Sequence, residues 1–131
     1  MPANEQLRKT YVVDDDEDVR LSLTLELKAA GLAPQPFPSA DSFLDALDTL
    51  PPGCVLLDVR MPGRNGTEML EELARRGCRW PVIMMTGHAD ERSARQALSL
   101  GAIAFLAKPF SEQELHTALD KGLSLLGNTS K

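Results

Sequence analysis

Acidic side chains follow two strand-like apolar segments of this chain of 131 residues. The first segment runs directly into Asp14, Asp15 and Asp16, and the second ends at residue 58, which is also an aspartate. Two carboxylates about 4 Å apart repel by about 4 kcal/mol at an effective dielectric constant of about 20. If the acids meet, a positive group must share their site, and Lys108 supplies one such charge. Oxygen ligands favour Mg²⁺, with Mn²⁺ as a second possibility, as the source of the rest.

Part of the first acidic run has a simpler explanation. Residues 16–18 stand where a helix would begin, and acids in a first turn cap free N–H groups and complement the helix dipole. That explanation does not account for Asp58 at the end of a buried strand. We therefore assign Asp14, Asp15 and Asp58 to a site, and residues 16–18 to the start of a helix.

Apolar runs of strand length alternate along the chain with longer segments of helical periodicity. The predicted strands are residues 10–14, 32–37, 54–58, 81–86 and 102–108. Helices are predicted between and after these strands, with glycine or proline as stop signals and a capping box that opens the last one: Gly31, Pro51, Gly77, Gly101, Ser111 and Glu114. Five successive βα units imply a parallel sheet with helices on both faces.

The strand ends are the places to look for function, because open sheets of this kind bind ligands outside the carboxyl ends of their strands. Four of the predicted strands end in a polar or charged residue: Asp14, Asp58, Thr86 and Lys108. We expect these side chains to converge. The exception is the second strand, in which Pro34 and Pro36 remove ladder donors, so we expect a short or frayed edge strand there.

Composition favours one domain whose partners are proteins. Fourteen Lys and Arg against 19 Asp and Glu give a net charge of −5, which argues against binding of nucleic acid or of an acidic membrane. Cys54 and Cys78 are not spaced as a CxxC pair and are expected to be reduced core residues, as in a cytoplasmic protein. No apolar run approaches the roughly 18 residues of a membrane span. We expect a single domain over residues 1–131, with no output domain in this chain.

Four segments together resemble the response-regulator receiver domain of two-component signalling, over residues 9–126. The segments are "VVDDDEDVR", "LLDVRMPGRNG", "MMTGHAD" and "FLAKPF". Each alone is common, but their joint occurrence at successive strand ends is specific. The segments "TGHAD" and "KPF" resemble those of receivers of the nitrogen-fixation and nitrate-response regulators. The resemblance implies an α/β, flavodoxin-like, doubly wound (βα)5 fold with five parallel strands in the order 2-1-3-4-5.

The resemblance also implies roles for the acidic residues. Asp58 would be the phosphoacceptor, whose carboxylate attacks the phosphorus of a phosphohistidine. Asp14 and Asp15 would hold Mg²⁺ together with Asp58 and the backbone carbonyl of Arg60. Pro109 would follow a cis peptide that directs the preceding lysine into the crevice.

Further roles follow from the same resemblance. Lys108 would pair with the phosphoryl oxygens, and Thr86 would hydrogen-bond one of them after phosphorylation. Phe105 matches the switch aromatic that swings inward when Thr86 moves, although a plain core role is almost as well supported. Arg60 and His88 lie where the family varies and are expected to tune the lifetime of the acyl phosphate.

The implied function is that of a signalling domain, not of an enzyme with a separate substrate. It would accept a phosphoryl group from a sensor histidine kinase or a phosphotransfer protein, catalyse its own phosphorylation and dephosphorylation, and control a partner or an output domain of transcriptional type. A homodimer through the fourth helix, fifth strand and fifth helix is a further expectation. Neither nucleic acid nor membrane is expected to bind this chain directly.

Two alternatives stay open. One is a Mg²⁺-dependent phosphatase of the haloacid dehalogenase type, which also uses an aspartyl nucleophile but needs a second aspartate at the position of Arg60. The other is a degenerate receiver that acts only as a protein-binding module.

Overall fold

The computed structural model of the chain describes residues 9–87 and 91–129. Its strands are β1 (Lys9–Val13), β2 (Ala33–Phe37), β3 (Cys54–Asp58), β4 (Val82–Thr86) and β5 (Ala104–Ala107). Its helices are α1 (Glu17–Ala29), α2 (Ala40–Ala46), α3 (Gly66–Arg75), α4 (Glu91–Ser99) and α5 (Glu112–Thr129), and a 3₁₀ turn (Leu47–Thr49) continues α2. Strands and helices alternate, as the sequence predicts.

The five strands form one sheet in the order β2-β1-β3-β4-β5. All neighbouring strands pair in parallel, so the predicted order and direction are confirmed. Every residue of β3 and β4 is buried, which is typical of central strands covered on both faces. The carboxyl ends of β1, β3, β4 and β5 therefore lie side by side along one end of the sheet.

The core has two layers because successive side chains of a strand point to opposite faces. One layer includes Val13, Leu57 and Met84 and packs against residues of α2, α3 and α4: Phe43, Met69 and Ala97. The other layer includes Val12, Leu56 and Met85 and packs against residues of α1 and α5: Leu23, Leu27, Leu115 and Leu119. Among the described residues, the buried polar or charged ones are Thr10, Asp14, Asp58 and Thr86, and all but Thr10 lie at the carboxyl end of the sheet.

The edge strand β2 keeps its full pairing despite two prolines. It pairs with β1 from Ala33 to Phe37, so the expected fraying is not seen. The carbonyl of Phe37 accepts a hydrogen bond from the N–H of Asp14 at 3.2 Å, which shows that the backbone of Phe37 faces β1. Alternate residues of a strand turn their backbone groups to opposite sides, so Pro34 and Pro36 face away from β1. Their missing N–H groups cost no hydrogen bond of the ladder.

Four of the five predicted strands differ from the observed ones at one or both ends, most of all at the start of the last strand. Helical spacing from Leu23 and Leu27 predicts Ala30 on the buried side of α1, but Ala30 is exposed because it is the C-cap, with its N–H bonded to the Glu26 carbonyl. The last strand begins at Ala104 and not at Ala102, because the N–H of Ala102 bonds back to the carbonyl of Ala97 in α4. Both residues complete a helix end, but Ala30 lies outside the core whereas Ala102 is buried in the layer of α2, α3 and α4.

The cysteines and the peptide before Pro109 agree with the predictions. Cys54 and Cys78 are both free thiols, the first buried and the second half-buried. The Lys108–Pro109 peptide is cis, as the resemblance implies. Within the part of the chain that the structure describes, no helix has the length and apolarity needed to cross a membrane.

Candidate functional site

Three carboxylates and one ammonium group meet at the carboxyl end of the sheet. Asp14 follows β1, Asp58 ends β3, and Lys108 follows β5. The Lys108 Nζ lies 2.9 Å from Asp14 Oδ2 and 3.8 Å from Asp58 Oδ2. One carboxylate oxygen from each of Asp14, Asp15 and Asp58 lies within 4.8 Å of the others. The convergence expected from the strand ends is therefore present.

Asp14 is the most completely buried acid of the site, with an exposed fraction of 0%. Its Oδ1 accepts a hydrogen bond from the N–H of Asp16 at 3.0 Å, and its Oδ2 accepts one from Lys108. Its backbone carbonyl accepts a hydrogen bond of 2.7 Å from Nη1 of Arg20. A buried charge is tolerated only when it is paired and hydrogen-bonded, and Asp14 meets both conditions.

Asp58 is nearly buried, with an exposed fraction of 7%. Burial, and secondarily the negative charge of Asp14, raise the pKa of Asp58 to about 6, while Lys108 acts in the opposite direction. The N–H of Arg60 donates a long hydrogen bond of 3.4 Å to Asp58 Oδ1. The ionised form of Asp58 is thus under-stabilised in the protein alone, and a further positive charge would favour it.

The donor set fits a hard divalent cation. All three acids present carboxylate oxygens, the ligands that Mg²⁺ and Mn²⁺ prefer. Asp15 is exposed, so water can complete the coordination that such an ion needs. Lys108 is a single positive charge between Asp14 and Asp58, so the three acids keep a negative excess that a cation would neutralise.

Thr86 and Phe105 lie on β4 and β5, Thr86 at the strand end and Phe105 further back along its strand. Thr86 ends β4 with an exposed fraction of 1%, and its carbonyl accepts a 2.7 Å hydrogen bond from the N–H of Lys108. Phe105 is half-buried, is paired in register with Met84 and packs against the core layer of α2, α3 and α4. Arg60 is exposed at the start of the loop after β3. His88 lies outside the described residues.

Residues 16–18 form the start of α1, the role that was weighed against a ligand role. Asp16 is the N-cap of α1, and its side chain accepts hydrogen bonds from the N–H groups of Asp18 and Val19. The division of the acidic run into two site residues and a helix start is consistent with this geometry.

Two residues that contact the site backbone were not predicted from the sequence. The N–H of Gly66, the first residue of α3, donates to the carbonyl of Val59 at 2.9 Å, and a Cβ on Gly66 would lie 2.5 Å from the carbonyl oxygen of Asp58. The reciprocal cap of Asn65 and Glu68, spaced as a capping box, is the signal that marks this helix start. Arg20 contacts Asp14 across a turn, and nothing in its local sequence points to that contact.

The sheet order and the acidic end of the sheet define a receiver-type α/β domain. A model of the response regulator receiver domain matches residues 10–120, and the chain belongs to that family. The transcriptional regulatory protein FixJ of Azorhizobium caulinodans is 47% identical over 113 residues, which are 86% of this chain and 54% of FixJ. The predicted resemblance to nitrogen-fixation-type receivers is confirmed. The chain spans only about half the length of this relative.

Solved structures agree with this assignment. The response regulator StyR superposes with a TM-score of 0.87 at 38% identity, over 93% of this chain and 62% of StyR. The crystal structure of FixJ-N gives a TM-score of 0.84 at 34% identity, over 88% of this chain and 93% of that one. Membership in this family leaves no support for a phosphatase of the haloacid dehalogenase type, whose second aspartate is replaced here by the exposed Arg60.

Proposed function

We propose that this receiver domain accepts a phosphoryl group on Asp58 from the phosphohistidine of a sensor kinase or phosphotransfer protein, in a reaction that requires Mg²⁺. The observation that supports it most directly is the position of the Lys108 ammonium, 2.9 Å from Asp14 and 3.8 Å from Asp58, beside three clustered carboxylates. Phosphoryl transfer depends mainly on positioning and on neutralisation of oxygen charge, and this arrangement supplies both.

The chemistry needs few groups. A carboxylate oxygen of Asp58 forms the new O–P bond while the P–N bond of the phosphohistidine breaks. The bonding electron pair stays on the imidazole nitrogen, which takes up a proton. Lys108 is placed to pair with the phosphoryl oxygens as they approach Asp58. Mg²⁺, held by Asp14, Asp15, Asp58 and the carbonyl of Arg60, would neutralise charge on those oxygens when bound.

Dephosphorylation returns the domain to its starting form. Water attacks phosphorus, the O–P bond breaks, and Asp58 regains its carboxylate while inorganic phosphate leaves. Arg60 is exposed at the mouth of the site and, with His88, would set how easily that water approaches. The domain would thus catalyse both steps on itself without turning over a separate substrate.

The output would be a change of shape. A phosphoryl group adds about −1.5 to −2 charge, which would draw the Thr86 hydroxyl toward Asp58 and let the half-buried Phe105 move inward. The surface of α4, β5 and α5 would then change and serve as a homodimer interface. An exposed leucine of α4, Leu98, supports that use.

The test is phosphorylation by acetyl phosphate with Mg²⁺, followed by mass spectrometry to locate the modified residue. We expect one phosphoryl group on Asp58 and none in Asp58→Asn or without divalent cation. Asp48→Asn, at an exposed position of the 3₁₀ turn, is the matched control and should be labelled like the wild type. An added phosphate that persists in Asp58→Asn would contradict the assignment, and no labelling at all would leave the degenerate binding module.

A further inference from the structure

The side chain of Arg20 fixes the backbone on which Asp15 is carried. Arg20 lies in α1, and its Nη1 donates a 2.7 Å hydrogen bond to the carbonyl of Asp14, which belongs to the peptide group that precedes Asp15. The backbone N–H of Arg20 donates to the carbonyl of Asp16 at 3.0 Å. The side chain of Arg20 therefore holds the peptide group before Asp15, while its backbone N–H makes the regular hydrogen bond of the first helical turn.

The peptide group that follows Asp15 is also fixed. Its N–H, that of Asp16, donates to Asp14 Oδ1 at 3.0 Å. The carboxylate of Asp15 is itself exposed, but it comes within 4.8 Å of the carboxylates of Asp14 and Asp58. The direction of the Asp15 side chain is thus set by the two peptide groups that flank this residue. Arg20 holds the one that precedes it.

We propose that Arg20 is a positioning residue for the cation site: it orients the peptide between Asp14 and Asp15 so that the Asp15 carboxylate meets those of Asp14 and Asp58. The inference rests on the proposed function. It adds to the proposed cation site a residue that does not itself bind the cation. The guanidinium bonds to a backbone carbonyl and not to a carboxylate, which suits a role in holding the chain. Groups behind the direct ligands commonly change metal affinity by about 10-fold to 100-fold.

If Arg20 served only as a counter-charge, its removal would change the Mg²⁺ affinity in the opposite direction. If Arg20 acted only by its charge, its removal would make the acidic cluster more negative and Mg²⁺ would bind more tightly. If Arg20 positions Asp15, its removal loosens the site and Mg²⁺ binds more weakly. The direction of the change in Mg²⁺ affinity therefore separates the two roles.

The experiment compares Arg20→Gln and Arg20→Lys with the wild type by titration with MgCl₂, followed by the backbone amide shifts in NMR spectra. We expect about tenfold weaker binding in Arg20→Gln. Arg20→Lys keeps the charge but not the planar guanidinium, and should also bind more weakly. In the metal-free protein, the Asp16 amide should exchange with solvent faster in both variants, a readout independent of the metal.

Arg76→Gln is the matched control, because the Nη1 of Arg76 also donates to a backbone carbonyl, that of Leu44, at 3.2 Å and away from the site. Its Mg²⁺ affinity and Asp16 exchange should equal those of the wild type. Unchanged or tighter Mg²⁺ binding in Arg20→Gln, or wild-type binding in Arg20→Lys, would overturn the inference. If Arg20→Gln does not fold, Arg20→Lys decides alone. Absence of Asp58 labelling in the wild type would instead reject the proposed function.

Discussion

At the scale of single residues, Asp58 combines burial with a charged neighbourhood of mixed sign. It is nearly buried beside the fully buried Asp14, and Lys108 lies closer to Asp14 than to Asp58. Because burial dominates, the pKa of Asp58 rises from 3.8 to about 6. A carboxylate with a higher pKa in the folded protein than in the unfolded chain destabilises the fold once both states are ionised.

This predicts that Asp58→Asn stabilises the metal-free protein near neutral pH. One pKa unit corresponds to about 1.4 kcal/mol, and after allowance for partial exposure we expect about 2 kcal/mol. The gain vanishes well below the unfolded pKa of 3.8, where both states are protonated. It grows as the pH rises from 3.8 to the folded pKa of about 6 and is complete above that. Urea unfolding at several pH values measures it.

Two comparisons make this test specific. Asp48→Asn, at an exposed position, should show no such pH-dependent gain. Mg²⁺ should stabilise the wild type more than Asp58→Asn and so reduce the difference between them. A difference in unfolding free energy that stays constant between about pH 4 and about pH 7 would mean that burial does not raise the pKa of Asp58.

The site residues differ in how far sequence alone reveals them. Asp14, Asp58, Thr86 and Lys108 could be selected because each follows or ends an apolar strand, and parallel strands bring such ends together. Arg20 could not, because its contact depends on the path of the turn between β1 and α1. Residue roles such as phosphoacceptor came from the family resemblance, not from spacing.

At the scale of elements, α3 begins directly against the backbone of the proposed phosphoacceptor. A Cβ on Gly66 would lie 2.5 Å from the Asp58 carbonyl oxygen and 2.9 Å from Val59 Cα. Both atoms belong to the backbone, so no side chain can turn aside to make room. Any side chain at position 66 must therefore move either the start of α3 or the end of β3.

We predict that Gly66→Ala slows phosphorylation of Asp58 by acetyl phosphate at least about tenfold, because a shift of about 1 Å at a reacting group can cost far more than that. Overpacking of this kind also destabilises by about 1 to 3 kcal/mol. The rate is measured at a temperature where circular dichroism shows the variant to be folded.

Gly122→Ala is the matched control for the effect of overpacking. Its added Cβ would lie 2.6 Å from Cys54 Sγ, where α5 packs on the amino end of β3, far along the strand from Asp58. We expect a comparable loss of stability with an almost normal phosphorylation rate. Equal slowing in the two variants would mean that Gly66 acts only through general stability.

Strands and helices that are marked by their own apolar pattern were predicted well. Strand ends that depend on a hydrogen bond to another element were not. β3 was predicted at residues 54–58 because its apolar run is continuous, begins after Gly53 and ends at Asp58. The start of β5 was misplaced because the Ala102 N–H bonds to α4, a contact that apolarity cannot reveal. The 3₁₀ turn after α2 was likewise read as part of one longer helix.

At the scale of the whole molecule, the site and the proposed output surface share β5, and the end of β4 connects to it. Thr86 and Lys108 are joined by a 2.7 Å backbone hydrogen bond, so movement at the site can reach the strand that lies beside α4 and α5. Leu98 on α4 is an exposed leucine of this surface, with an exposed fraction of 49%. The sheet order that creates this proximity came from the resemblance, since alternation of strands and helices fits more than one order.

We predict that Leu98→Arg weakens dimer formation by the phosphorylated domain, because a charge in the middle of an apolar contact must be desolvated. The apparent dissociation constant should rise at least about tenfold, as a loss of about 1.4 kcal/mol would produce. Light scattering coupled to size-exclusion chromatography, with Mg²⁺ and acetyl phosphate present, measures it.

Leu21→Arg serves as the control, because Leu21 is equally apolar and exposed but lies on α1, on the other side of the domain. It should dimerise like the wild type. Loss of dimer in Leu21→Arg with normal dimerisation in Leu98→Arg would place the interface on α1 and contradict the proposed surface.

The outward-facing prolines of β2 have a consequence for unwanted assembly. Along its free side this strand offers the carbonyls of Pro34 and Pro36 but not a single amide proton from these two positions. An extended segment of another molecule that approached this edge would meet carbonyl acceptors but no N–H donors from these two positions. Fibril-like growth of the sheet is therefore disfavoured at the free edge of β2. Any growth of the sheet from one copy to the next would have to begin at β5, the strand at the opposite rim.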